Sequence, residues 1–127
     1  MYKTGMVFGV FDNLHKGHEY FLSESVRQCE RLVVVVTPDS VVSELKHHTP
    51  QQTASVRIDA VKKIFPGANV ILGDVIIHSW RVVAEQKPDV VFLGYDQHDI
   101  AIELKKLKLP FHFMGAFEPK IYKSSVL

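Results

Sequence analysis

Met6-Val7-Phe8-Gly9-Val10-Phe11 runs straight into Asp12-Asn13-Leu14-His15-Lys16-Gly17-His18. The first six residues are apolar and rich in strand formers, and past Asp12-Asn13 the pattern changes to a helical period. Tyr20, Phe21, Leu22, Ser25, Val26 and Cys29 recur at spacings of three to five. That predicts a helix over about residues 17 to 29, with Cys29 as a small buried hydrophobe on its apolar side. The next run, Arg31-Leu32-Val33-Val34-Val35-Val36-Thr37, is apolar almost throughout, as a strand buried on both faces of a parallel sheet must be. Strand, helix, strand in this order is the start of a β-α-β unit.

Pro38-Asp39 ends the second strand, and residues 43–53 (SELKHHTPQQT) are polar without a clear period, which predicts a loop. Val56, Ala60, Val61, Ile64 and Phe65 mark the apolar face of a helix over residues 54–65, stopped by Pro66-Gly67. Val70-Ile71-Leu72 reads as a short strand leading into Gly73-Asp74. Ser79 is placed to cap a helix containing Trp80, Val82, Val83 and Ala84, which Lys87-Pro88 ends. Val90-Val91-Phe92-Leu93 is another buried strand, closing on Gly94-Tyr95-Asp96. Ile100 to Leu107 form a further helix and Phe111-His112-Phe113-Met114 a last strand.

The order β-α-β-α-β-α-β-α-β implies an α/β fold. It is a doubly wound parallel sheet of five strands, with right-handed crossovers and helices on both faces. In open sheets of this kind ligands sit beyond the carboxyl ends of the strands, at the switch point in strand order. That rule selects Asp12 to His18, Thr37 to His48, Gly73-Asp74 and Gly94 to Gln97, where most of the unusual chemistry of the sequence lies.

Composition agrees with one globular domain over residues 1–127, at 46% hydrophobic and 23% charged residues. Fifteen Lys and Arg against fourteen Asp and Glu give a net charge of +1, so no global attraction to nucleic acid or to a membrane surface is expected. The longest apolar run, Leu32 to Val36, is far short of the ~20 residues needed to span a bilayer. The N-terminus shows no signal-peptide core, which makes a cytoplasmic protein the expectation. One cysteine excludes an internal disulfide and a Cys-based zinc site.

The turn from first strand to first helix carries the chemistry. A helix start offers unpaired N–H groups and the positive end of the helix dipole, which suits phosphate. His15 and His18, at i and i+3, project from the first turn toward the same anion, and Gly17 between them removes a Cβ where backbone approaches ligand. Protonated or hydrogen-bonding imidazoles, with Lys16 nearby, would stabilise charge on a phosphorane-like transition state. Taken alone, the histidine pair reads better as solvated side chains than as a phosphate or metal site; its place after strand one, with Gly before and between, shifts the balance toward function.

Gly9-x-Phe11-Asp12-x-x-His15-x-Gly17-His18 resembles the signature of the cytidylyltransferase-like nucleotidyltransferases, whose hallmark is His-x-Gly-His. The resemblance covers nearly the whole chain. It implies a Rossmann-like fold and transfer of a nucleoside monophosphate from a nucleoside triphosphate to a phosphate acceptor, with loss of pyrophosphate. It also implies that His15 and His18 contact the triphosphate and stabilise the transition state, with Gly9, Phe11, Asp12 and Gly17 forming the phosphate site. Lys46 matches the family lysine that reaches triphosphate and acceptor phosphate, and Arg57 a recurrent arginine that holds pyrophosphate oxygens. Gly94 and Asp96 match a Gly-x-Asp that holds the nucleotide, with Asp96 facing the nucleoside or metal. Tyr122-Lys123-Ser124-Ser125 resembles a Ser/Thr-rich motif in which Ser124 and Ser125 bind phosphate. In the family that motif runs on into a terminal helix, which the residues up to Leu127 are too few to form. Without the family, these positions read as a solvated lysine, a surface salt bridge, a strand-ending turn and a polar tail.

Among branches of the family, pantetheine-phosphate adenylyltransferases usually carry Thr where His15 stands. Glycerol-3-phosphate cytidylyltransferases carry a late Arg-Thr-x-Gly-Ile-Ser-Thr-Thr, and residues 117–125 lack both Arg and Gly. Archaeal-type FAD synthetases show Leu-Gly-Tyr-Asp-Gln after strand four and Tyr-Lys-(Thr/Ser)-Ser near the end. Leu93 to Gln97 and Tyr122 to Ser125 reproduce both. The preferred expectation is therefore AMP transfer from ATP to the phosphate of FMN, with Mg2+ bound with the nucleotide. The alternatives are CTP with glycerol 3-phosphate, and a nucleotide-binding module without turnover. A homodimer stays open, with the third or fourth helix as its candidate face. His47, His48, His78, His98 and His112 form no convincing ligand set, and Trp80 is expected to pack helix against sheet or at a subunit contact.

Overall fold

A computed structural model describes residues 1–76 and 79–114. Among these, five strands form one sheet: β1 (Tyr2–Gly9), β2 (Cys29–Val36), β3 (Asn69–Leu72), β4 (Val90–Leu93) and β5 (Phe111–Phe113). Their spatial order is β3-β2-β1-β4-β5, and every pairing is parallel. The connecting helices are α1 (Lys16–Val26), α2 (Asp39–Lys46), α3 (Ala54–Ile64), α4 (Arg81–Gln86) and α5 (His98–Lys106). The expected strand sequence is present. The crossover from β2 to β3 holds two helices instead of one.

Strand side chains alternate between faces, and both faces are apolar. Leu32, Val34 and Val36 of β2 share one cluster with Val7, Val90, Phe92, Leu22 of α1 and Val61 of α3. Val33 and Val35 share the other with Met6, Val91, Leu93, Val82 of α4 and Leu104 of α5. So α1 and α3 cover one face while α4 and α5 cover the other, which is the doubly wound arrangement. The direction of winding reverses between β1 and β4, and that switch point faces the His15 turn.

Four local expectations are corrected. Arg27 is the C-cap of α1, and Cys29 begins β2, where it pairs with Tyr2 and packs into the same cluster as Leu22. The apolar spacing ran through the turn because helix end and strand start face one core. Residues 43–46, expected to open a loop, instead complete α2, in which Val41 and Val42 are buried while Leu45 is exposed. Two inward positions in so short a helix leave almost no period to read. On α3, Val56 and Ile64 are 48% and 43% exposed, and Arg57, at 0%, takes an inward place beside Val61. At α4 the N-cap is Trp80, not Ser79, with a left-handed φ of 54°, and the carboxylate of Asp74 accepts from the Val82 N–H at 3.2 Å. Among the described residues no helix is long and apolar enough to cross a membrane.

Candidate active site

His15 and His18 together build the start of α1. His15 is the N-cap: its Nδ1 accepts from the Gly17 N–H at 2.9 Å, and the His15 N–H is donated to Nδ1 of His18 at 3.3 Å. This is a capping box made from two imidazoles. The rings stack with centroids 3.9 Å apart and 22° between planes. Each Nδ1 faces a backbone donor, so the bonds assign the neutral tautomer with its hydrogen on Nε2 to both rings. Burial above all, then the neighbouring His15, lowers the pKa of His18 from 6.5 to about 4, against the opposing pull of Asp12 and Asp96. His18 is therefore a neutral donor at neutral pH. The cap also takes up helix-start N–H groups, so an anion at α1 meets imidazole edges backed by the helix dipole.

The turn before the cap is held in a strained shape. Phe11 and Asn13 have φ of 53° and 51°, a region that non-glycine residues enter at a cost of about 1–3 kcal/mol each. The Phe11 ring lies over Gly9, where a Cβ would come within 2.6 Å of it, and stands edge-on to His18 at 5.8 Å. Only glycine admits that contact at position 9. Asp12 anchors the turn: its carboxylate accepts from the N–H groups of Gln51 and Gln52 at 2.8 and 2.9 Å. Asn13 returns bonds to both glutamine side chains.

Arg57 lies behind this turn. Its guanidinium group donates to the carbonyls of Gln52 (3.0 Å) and Val10 (2.8 Å) and to the carboxylate of Asp39 (2.6 Å). One fully buried side chain thus ties the β1–α1 turn, the segment before α3 and the first turn of α2. Pyrophosphate oxygens cannot reach it here without displacing those partners. The geometry gives Arg57 a positioning role in place of the direct phosphate contact that the sequence suggested.

Beyond the carboxyl ends of the strands lies an open cavity of about 1050 Å³. It brings together Gly9, Phe11, Asp12, His15, Gly17 and His18 from the first turn with Lys46 from the end of α2 and Gly94 and Asp96 after β4. Nine sequence-predicted site residues thus meet in one place. Arg57 stands outside the cavity, and Ser124 and Ser125 lie outside the described residues. Lys46 is exposed at the last position of a helix whose C-cap, His47, is left-handed at φ 59°. His48 also lines the cavity, next to that cap.

Four further residues help complete the wall. Thr37, Asp74, Trp80 and Tyr95 line the cavity. Thr37, Asp74 and Tyr95 lie one or two residues past strand ends, in segments the strand-end rule selects without giving these three a role; Trp80 instead arrives through the left-handed cap of α4. Trp80 stands edge-on to Phe8, with centroids 5.5 Å apart and planes at 85°. Among the described residues no three His, Cys, Asp or Glu side chains converge to hold a metal ion.

The family model described as cytidylyltransferase-like matches residues 6–125. An FAD synthase from Aciduliprofundum boonei is 40% identical over 95 residues, covering 72% of this chain and 60% of that one. An FAD synthase from Thermococcus sibiricus is 34% identical over 122 residues, covering 93% and 81%. This chain therefore spans between about three-fifths and four-fifths of the length of these relatives. The solved structure of a lipopolysaccharide core biosynthesis protein from Thermoplasma volcanium superimposes with a TM-score of 0.79 at 29% identity, covering 92% of this chain and 99% of that one. With the His-x-Gly-His turn at the switch point of a five-stranded parallel sheet, and a match spanning nearly its full length, the chain belongs to the cytidylyltransferase-like family.

Proposed function

We propose that the protein is an FMN adenylyltransferase, moving AMP from ATP to the phosphate of FMN and releasing pyrophosphate. The observation that carries the reading is the convergence of the His15–His18 pair, Lys46 and Asp96 on one cavity at the switch point. The relatives named FAD synthase supply the choice of adenylyl donor and flavin acceptor. An apolar wall of Phe8, Ile76, Trp80 and Ile100 suits planar ring systems.

In this reaction an oxygen of the acceptor phosphate attacks the α-phosphorus in line, and the bond to the departing pyrophosphate oxygen breaks. The acceptor is already anionic, so no general base is needed. The protein contributes alignment and charge stabilisation. His15 and His18 donate from Nε2 to oxygens of the α-phosphoryl group as negative charge builds there. Being neutral, His18 donates this hydrogen bond and keeps its proton throughout. Lys46, across the cavity, draws triphosphate and acceptor phosphate toward one another. Gly9 and Phe11 keep the histidine turn in shape, Gly17 starts the helix beneath it, and Gly94 and Asp96 receive the nucleoside. Mg2+ bound with the triphosphate would screen its charge, and Asp96 is the residue that would face it. A cytoplasmic location suits two small, soluble substrates.

The test is pyrophosphate release with Mg-ATP or Mg-CTP, each crossed with FMN and glycerol 3-phosphate. Release with ATP and FMN alone, with FAD formed in step, is the expected result. Release with CTP and glycerol 3-phosphate would move the protein to another branch of its family. Nucleotide binding with no release in any combination would make it a binding module.

A further inference from the structure

At the switch point the sheet is paired least. β1 and β2 pair over seven positions from Tyr2 to Gly9, whereas β1 and β4 pair only at Gly5–Val90 and Met6–Val91. Both strands continue toward the cavity, to Gly9 and Leu93, without further pairing. Successive carbonyls of a strand point to opposite sides. Gly9 offers its carbonyl to Thr37 on the β2 side at 2.9 Å, so the Phe8 carbonyl faces β4. Gln97, the N-cap of α5, fills the gap. Its Nε2 donates to the Phe8 carbonyl at 2.8 Å, and its Oε1 accepts from the Gly94 N–H at 2.8 Å. One primary amide, with a donor and an acceptor side by side, thus replaces a missing rung between two diverging strands.

We infer that Gln97 is a positioning residue: it fixes the separation between the histidine turn after β1 and the Gly94–Asp96 loop after β4. The inference rests on the reading of this cavity as a nucleotide site. There the phosphates lie against His15 and His18 while the nucleoside lies against Gly94 and Asp96, so one nucleotide must satisfy both loops at once. A clamp between their parent strands sets whether it can. The side chain is specific to this task. Methionine has the length and neither bond. Glutamate keeps the acceptor toward Gly94 but turns a carboxylate oxygen toward the Phe8 carbonyl, two acceptors facing each other.

The experiment compares wild type with Gln97→Met and Gln97→Glu at 25 °C, using only material that elutes and gives a circular dichroism spectrum as folded protein. ATP affinity is read by calorimetry without acceptor, and kcat and KM by FAD formation. The clamp predicts ATP binding about tenfold weaker in Gln97→Met, or about 1.4 kcal/mol. It predicts kcat per folded molecule lower by about 10- to 100-fold, the scale of a misplacement near 1 Å. The KM for FMN should stay within about twofold, since Lys46 belongs to the β2 side. Gln97→Glu should lose at least as much as Gln97→Met. Should Gln97→Met not fold, Gln97→Glu alone decides by the same figures. A merely structural glutamine would lower the yield of folded protein and leave ATP affinity and kcat per folded molecule unchanged, which overturns the inference. Wild type that binds ATP yet makes no FAD would refute the proposed reaction, while the ATP affinities of the variants still judge the clamp. Wild type that binds no ATP would overturn both.

Discussion

Lowering the pH should destabilise this protein through one ring, His18. Burial of the imidazole against the cap and the Phe11 edge holds its folded pKa near 4, while the unfolded chain titrates near 6.5. Between those values the unfolded state binds the extra proton, so stability rises with pH there. The contribution is complete above pH 6.5 and is lost progressively as the pH falls toward 4. A displacement from 6.5 to about 4 corresponds to at most about 3 kcal/mol, less to the degree that cavity water reaches the ring. Protonation also places a hydrogen on Nδ1, opposite the His15 N–H, and breaks half of the capping box. The assay is urea unfolding at pH 7.5, 5.5 and 4.5, followed by the fluorescence of Trp80, in wild type and in His18→Asn. Asparagine can cap but does not titrate, so the difference between the two chains isolates the histidine from the carboxylates. That difference should narrow by about 2–3 kcal/mol from pH 7.5 to 4.5. Titration of the ring by NMR should give a midpoint near 4 with the Nε2–H tautomer above it. A midpoint between 6 and 7, with parallel pH dependence in both chains, would refute the reasoning.

Three further outcomes follow from the site. His18→Ala should cut turnover by about two to three orders of magnitude, the loss expected for one donor to a developing charge, and an unchanged rate would remove His18 from the chemistry. Lys46→Ala should lower kcat/KM by at least tenfold while the urea midpoint shifts by no more than about 0.5 kcal/mol, because the side chain is exposed at a helix end. Arg57→Met should cost about 3–5 kcal/mol in urea unfolding, since it strands Asp39 and two carbonyls. Arg57→Lys should recover little of that loss, because an ammonium cannot reach three partners in a fork; full recovery would show that charge alone matters there.

Arg57 shows where motif reading and geometry part. The family resemblance implies that this arginine holds pyrophosphate oxygens, and without the family it reads as a surface salt bridge. Its actual partners, Val10, Gln52 and Asp39, lie up to 47 positions away in sequence, and nothing local reports them. Asp12 is similar: its carboxylate is engaged by the N–H groups of Gln51 and Gln52, which orders the turn that presents the histidines. Two residues named for phosphate thus hold the frame of the proposed phosphate site.

The sequence by itself determined the succession of strands along the chain, the parallel sheet and the site at its carboxyl edge, while the spatial order β3-β2-β1-β4-β5 came with the structure. Runs such as Leu32 to Val36 must be buried on both faces, and backbone sterics give β-α-β crossovers a single hand. It determined the histidine turn as well, because a strand, a tight turn and a helix start are local in the chain. Tertiary structure alone decided α2, whose two buried valines are too few to show a period, and so the helical setting of Lys46. It decided that both imidazoles are Nδ1 acceptors, and that Gln97 bridges strands that stop pairing after Met6. These depend on which distant backbone groups are left without a partner once the sheet has formed. A sequence read locally carries the donors and acceptors, and only the closed sheet settles which of them meet.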